Sequence, residues 1–211
     1  MEKEYKQLKV TRGLFHNYLG MVLDFTHRGV VSISQSGMIE EIAAAPGVSA
    51  LINAVGQPEA RPKTPATENL FRCTATSPPL DAPTAKIVHS LTARILFVAN
   101  RARPDLLTFV AFMTKKVLAP THEDGRKLLR ALRYMAHTSD VVLTLGYRGV
   151  PSLHVFIDAS FATHTDMKSH TGVICTLGTG AFYTKSTAQK INTTSSCEAE
   201  LVALSKGLQR S

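Results

Sequence analysis

Tryptophan is absent from these 211 residues, cysteine occurs three times, and charged residues make up only 19 %. Three cysteines (Cys73, Cys175, Cys197) at wide spacing write neither a disulfide framework nor a zinc site. The histidines His16, His27, His89, His122, His137, His154, His164 and His170 show no tight ligand spacing, so none is promoted to a metal role. No apolar run approaches the ~18 residues that a membrane span requires. The charged start Met1-Glu2-Lys3-Glu4-Tyr5-Lys6 lacks the apolar core of a secretion signal. An intracellular, reduced protein without a membrane partner is the expectation. What is present is ample apolar content, 44 %, which excludes wholesale disorder and suits one or two folded domains.

The net charge of +8 is unevenly placed. Residues 1–83 hold eight basic and eight acidic side chains, residues 84–150 eleven and four, and residues 151–211 five and four. The positive potential therefore belongs to the middle third, where a polyanion would be attracted. A well-solvated helical surface would carry the same charge.

Seven of the ten prolines fall between Pro46 and Pro83. Proline fixes φ and removes a backbone donor, so 56–83 reads as an extended connector between folded parts. Before it, in 1–55, His16 to Phe25 reads as a strand, Arg28-Gly29 as a turn and Val30 to Ser34 as the partner strand. Gly37 to Ala45 reads as a short helix closed by Pro46-Gly47. In 84–150 the period becomes helical: Ile87, Val88, Leu91, Ile95 and Val98 mark one helix, ending at Arg103-Pro104. Leu106 to Val117 reads as a second, and a third opens on Thr121 as N-cap with acidic residues in its first turn. On this third helix Leu128, Leu132 and Met135 form the apolar side. Arg126, Arg130, Arg133 and His137 form a basic stripe joined by Lys127, able to clamp phosphates or simply to face water.

In 151–211 the period changes again. Leu153 to Asp158 has the β-former content of a buried strand. Thr171 to Leu177 is a second strand, Gly178-Thr179-Gly180 a tight turn and Ala181 to Thr187 a third strand. Ser195 and Glu198 have capping-box spacing, with Leu201, Leu204 and Leu208 as the apolar side of the helix that follows. Strand alternation puts Asp158 on the same side as His154 and Phe156. A carboxylate ending an apolar strand needs a partner. A divalent cation shared with Glu200 is one remedy, Mg²⁺ taking a few carboxylates plus water and substrate phosphate. By spacing alone the simpler reading prevails: Asp158 ends the strand and bonds a loop amide, and Glu200 is solvated. Asp166 reads as a turn residue.

Several motifs, in one order, carry a resemblance from His16 to Ser211. They are Tyr18-Leu19-Gly20-Met21, Arg103-Pro104-Asp105, Leu132-Arg133-Tyr134-Met135-Ala136-His137-Thr138, Phe156-Ile157-Asp158-Ala159-Ser160-Phe161, Lys168-Ser169-His170-Thr171-Gly172 and Ser195-Ser196-Cys197-Glu198-Ala199-Glu200. The sequence resembles the Pol polyprotein of copia-type LTR retrotransposons, from the end of the reverse transcriptase into RNase H. The fold class this implies is α+β/α/β. A hairpin and helical thumb and connection segment (1–55, the connector, then basic 84–150) precedes a partial RNase H-like three-stranded meander plus helix.

The resemblance also implies chemistry. RNase H enzymes hold two Mg²⁺ ions with a strand Asp, a helix Glu and further aspartates. Asp158 and Glu200 stand at the first two places, as catalytic and metal-binding residues, whereas Glu198 does not match. Arg126, Lys127, Arg130 and Arg133 would contact nucleic acid. The implied partners are RNA–DNA hybrid or duplex nucleic acid and the remainder of the Pol polyprotein. The implied location is the cytoplasm, in a virus-like particle, or the nucleus. No Asp-Asp pair occurs, so the polymerase's Tyr-x-Asp-Asp turn is missing, as are the later RNase H aspartates. Both active sites are therefore expected to be incomplete in this chain. The alternatives are a non-catalytic nucleic-acid-binding module and an inactive translated fragment.

Overall fold

The stretch from His16 to Phe25 forms two strands rather than one. In the computed structural model, which describes residues 10–147 and 149–208, β1 (Phe15–Tyr18) and β2 (Met21–Asp24) pair antiparallel through Tyr18↔Met21. The two residues between them, Leu19 (φ 50°) and Gly20 (φ 74°), are both left-handed, as a tight hairpin turn demands. Leucine rarely accepts that conformation, which is why no turn is legible in the sequence. β3 (Val30–Ser34) follows as expected and pairs with β2.

Helix α1 (Ser36–Ala43) ends near the expected place, but Pro46 opens a helix instead of closing one. It is the first residue of α2 (Pro46–Val55), where its fixed φ is preorganised and its missing N–H would be unpaired anyway. Residues 56–81 have no helix or strand of regular length. Pro83, expected to end the connector, instead lies in the first turn of the next helix, and the stretch is not a free connector. It is a strap laid along the helices, with Leu70 buried in the core and Phe71 packed against it.

Asp81 caps α3 (Ala82–Ala99) by accepting from the Thr84 amide. The expected helix 106–117 is a 3-10 turn, Pro104–Leu106, running into α4 (Leu107–Met113). In α5 (His122–His137) the capping box is complete, with Thr121 and Asp124 each accepting from the other's amide. Leu128, Leu132 and Met135 of α5 are buried with Ile39, Leu51, Val88, Ile95 and Phe109 in one core contributed by α1 to α5. Taken singly, no described helix is long and apolar enough to cross a membrane. Only α1 and α2 together reach that length, bent by 49°.

Two of the sequence motifs meet in this body. Arg103, 1 % exposed, donates from Nε and Nη2 to the two carboxylate oxygens of Asp105 at 3.0 and 2.8 Å. It also donates to the Thr138 carbonyl at 2.7 Å, and the Tyr134 hydroxyl donates to Asp105 at 2.9 Å. After α5, strand β4 (Leu143–Gly146) pairs antiparallel with β3, giving a sheet of order β1-β2-β3-β4. The beginning and end of the first 150 residues thus share one sheet.

The second sheet is the expected meander: β5 (His154–Ser160), β6 (His170–Thr176) and β7 (Ala181–Ala188), all antiparallel and in chain order. Its turn over Gly178–Gly180 reaches back to the first sheet, where Thr179 and Gly146 exchange two backbone hydrogen bonds of 3.0 Å. β5 is not a buried strand. Its exposure alternates, with His154, Phe156, Asp158 and Ser160 outward and Val155, Ile157 and Ala159 turned toward α6 (Ser196–Leu208).

The apolar side of α6 is also not the leucine stripe. Ala199, Ala203 and Gly207, four residues apart, are buried, while Leu201, Leu204 and Leu208 are exposed. The reason is clearance: a Cβ on Gly207 would lie 2.6 Å from Cδ1 of Ile157, so only small residues let the helix lie this close. Ala203→Leu is expected to cost about 1–3 kcal/mol by overpacking. Leu204→Ser should stay within about 0.5 kcal/mol. Urea denaturation of the two variants measures both, and the reverse order would show that the helix is turned the other way.

Candidate functional site

Glu200 is brought to the strand that carries Asp158, though 42 positions separate them in sequence. α6 crosses β5 so that Glu200 Oε1 accepts the backbone N–H of Ala159 at 3.2 Å. That amide belongs to the residue next to Asp158, on a strand paired on one side only. The contact therefore satisfies an edge donor that would otherwise need water. Asp158 is exposed, and its cross-strand neighbour is Gly172, where an added Cβ would meet nothing within 4 Å. Asp158 shares its side with His154 and Phe156, as alternation implies, but that side faces outward rather than into a core.

Glu198 takes a different part. Its carboxylate accepts from the amide and hydroxyl of Thr194 at 2.6 and 2.8 Å, and its own amide donates to Ser195 Oγ at 3.2 Å. The Thr194 amide, above all, holds the Glu198 carboxyl below the usual carboxylate range. Ser195 caps the helix as its spacing implies, and Glu198 closes the cap one residue further out.

Two solvent-open carboxylates are hard oxygen donors of the kind Mg²⁺ accepts, and they suit a site completed by water and phosphate. Among the described residues no group of three or more His, Cys, Asp or Glu side chains is arranged to hold a metal ion. The Asp158 side chain lies on the face of β5 away from α6, and Glu200 reaches the strand's edge, so a cation shared by the two would sit at that edge.

A cleft of about 650 Å³ runs from Asp158 and Ser160, over Ser186 and His170, to Thr108 and Phe71 of the helical body. His170 and His164, both passed over in the sequence, are buried beside it. No local spacing announces them, because the hairpin loop that joins them folds back on itself.

The basic stripe of α5 divides. Arg126 and Arg133 are exposed. Lys127 is bound to Glu123 at 3.0 Å and donates to the Arg72 carbonyl. Arg130 is paired with Glu59, and the His137 ring bonds the Ala60 carbonyl at 2.7 Å. Lys127, Arg130 and His137 therefore fasten the strap to the helix, and Arg126 and Arg133 are exposed on its surface. Sequence distance hides this division, since Glu59 and Arg130 are 71 residues apart.

Comparison with protein-family models, with curated proteins and with solved structures returned no match.

Proposed function

We propose that this chain is part of a copia-type retrotransposon Pol polyprotein and that its second sheet and α6 act on RNA–DNA hybrid. One observation carries the reading: the Glu200 carboxylate on the amide beside Asp158. That contact puts a helix Glu against the strand that carries the Asp, the pairing of elements that the resemblance implies. The meander of three strands followed by a helix agrees with it.

In this reading Asp158 and Glu200 hold Mg²⁺. The ion, when bound, supplies Lewis-acid polarisation of a phosphate oxygen and a water of lowered pKa. The chain's own residues do the rest. The Ala159 amide fixes one oxygen of Glu200 and so limits how the carboxylate can turn. Exposed Arg126 and Arg133 draw the phosphate backbone without reading sequence. No polymerase step is assigned, because no Asp-Asp pair is present. Two-metal hydrolysis places ions about 4 Å apart, and two carboxylates cannot offset the repulsion between them. These residues alone therefore bind more than they cut. A purely binding module is the second reading, favoured by the two arginines left open on α5.

The test is cleavage of the RNA strand of a labelled hybrid in Mg²⁺. This chain should give background cleavage, and a version extended through further RNase H sequence should cut. Asp158→Asn in that version should abolish the activity, since an amide keeps the shape and removes the charge that holds the ion. Hybrid binding without cleavage by both versions would support the binding module. Robust Mg²⁺-dependent cleavage by this chain alone would overturn the two-carboxylate argument.

A further inference from the structure

Between the second sheet and the helical body lies a continuous chain of hydrogen bonds, buried at its histidine centre and exposed at both ends. Lys115 Nζ stands 3.5 Å from His164 Nδ1, and His164 Nε2 stands 3.0 Å from His170 Nδ1. His170 Nε2 stands 2.7 Å from Ser186 Oγ, and Ser186 donates to Thr108 Oγ1 at 3.1 Å. The imidazoles are 6 % and 7 % exposed, and the Phe71 ring packs on both, 4.7 and 5.1 Å between centroids. Lys115 and Thr108 belong to α4 and the loop after it, Phe71 to the strap, and the histidines and Ser186 to the sheet and its β5–β6 loop.

One assignment of protons satisfies every partner. Ser186 spends its hydrogen on Thr108, so it must accept from His170 Nε2–H. His170 Nδ1 is then an acceptor, which requires Nε2–H on His164, leaving His164 Nδ1 to accept from the Lys115 ammonium. Both rings are neutral. A further proton on either ring sets donor against donor, at the ring-to-ring contact or at Lys115. The charged groups around the pair offer no relief. Lys115 and Lys116 approach from the loop after α4, and Lys168 and Asp166 from the β5–β6 loop. Asp166, the carboxylate that acts on His164, is already paired with Lys168 at 2.8 Å. Thr108, Ser186 and Phe71 bring no charge.

We propose that the His164–His170 pair is an acid-operated latch that holds the second sheet against the helical body and so sets the shape of the cleft between them. The cleft has walls from both sides, Thr108 and Phe71 on one, Asp158, Ser160 and Ser186 on the other, so releasing the latch opens it. Burial first, then His164 and Lys115, push His170 down to about 4. Burial, with Lys115 beside it, holds His164 below the usual imidazole range. A base depressed in the folded state stabilises that state fully above its unfolded value. The contribution is lost as pH falls from about 6.5 toward about 4. The latch stands whether or not the sheet handles nucleic acid, because its readouts are structural.

The experiment follows the histidine ring resonances by NMR, and the radius of gyration and far-UV circular dichroism, from pH 7.5 to 4. Both rings should stay neutral well below pH 6.5, and the protein should expand at acid pH with its helices retained. In Lys115→Met, an exposed change that removes the cation at the end of the chain, the expansion should shift to lower pH. In the double variant His164→Gln, His170→Gln, it should lose its pH dependence. Ordinary titration of either ring near 6.5, an unshifted Lys115→Met transition, or loss of helicity in the same step would overturn the latch.

Discussion

Replacing Asp105 with alanine should lower stability by about 2–4 kcal/mol. That is somewhat below the loss for a fully buried pair, because Arg103 is buried but Asp105 is one-third exposed. Arg103 would remain 1 % exposed with its guanidinium facing no carboxylate. The Thr138 carbonyl and hydroxyl would still accept, at 2.7 and 2.8 Å, but neither carries charge. For a chain of this size each kcal/mol lowers the melting temperature by about 2–4 °C, so the midpoint should fall by about 10 °C. Arg103→Met alone should be less damaging, because Asp105 is one-third exposed and keeps the Tyr134 hydroxyl. The double change Arg103→Met, Asp105→Leu should recover much of the loss, since no charge is left buried. Thermal and urea denaturation of the three variants decide the matter. A loss below about 1 kcal/mol for Asp105→Ala would mean that water reaches the guanidinium.

Gly180→Ala should be the second severe change, because it combines a conformational cost with a backbone collision. Gly180 has φ +68°, and a Cβ there would sit 2.0 Å from the carbonyl oxygen of Thr144. That oxygen belongs to β4, which is held by its pairing with β3, so it cannot retreat without loosening the first sheet. Gly149 supplies the control, with φ +72° and nothing within 4 Å of an added Cβ. Gly149→Ala should cost about 1 kcal/mol from backbone strain alone. Gly180→Ala should cost about 2–5 kcal/mol, strain and overpacking together. It should also speed amide exchange at Gly146 and Thr179, the two residues that join the sheets. Equal losses at the two glycines would show that the hairpin turn does not rest on β4.

Where chemistry acts over four residues or fewer, the sequence by itself determined the outcome. Thr121 and Asp124 cap α5, Ser195 caps α6, the double-glycine turn joins β6 to β7, and alternation puts Asp158 beside Phe156. The prolines from Pro58 to Pro79 likewise excluded regular helix and strand, whereas Pro83 lies in the first turn of α3. Only the tertiary structure decided which way the α6 leucines face, because clearance over Ile157, not hydrophobicity, chooses the buried side. It also decided that Pro46 starts a helix, that Arg130 serves Glu59, and that Arg103 reaches Thr138 across 35 residues. The candidate site divides in the same way. Its residue types were legible, but the meeting of Glu200 with the strand of Asp158, and the His164–His170 latch beside them, depends on how elements pack. Caps, turns and strand alternation are set by dihedral angles and near-neighbour hydrogen bonds. Facing and pairing are set by which distant surfaces exclude water together, and no local pattern carries that information.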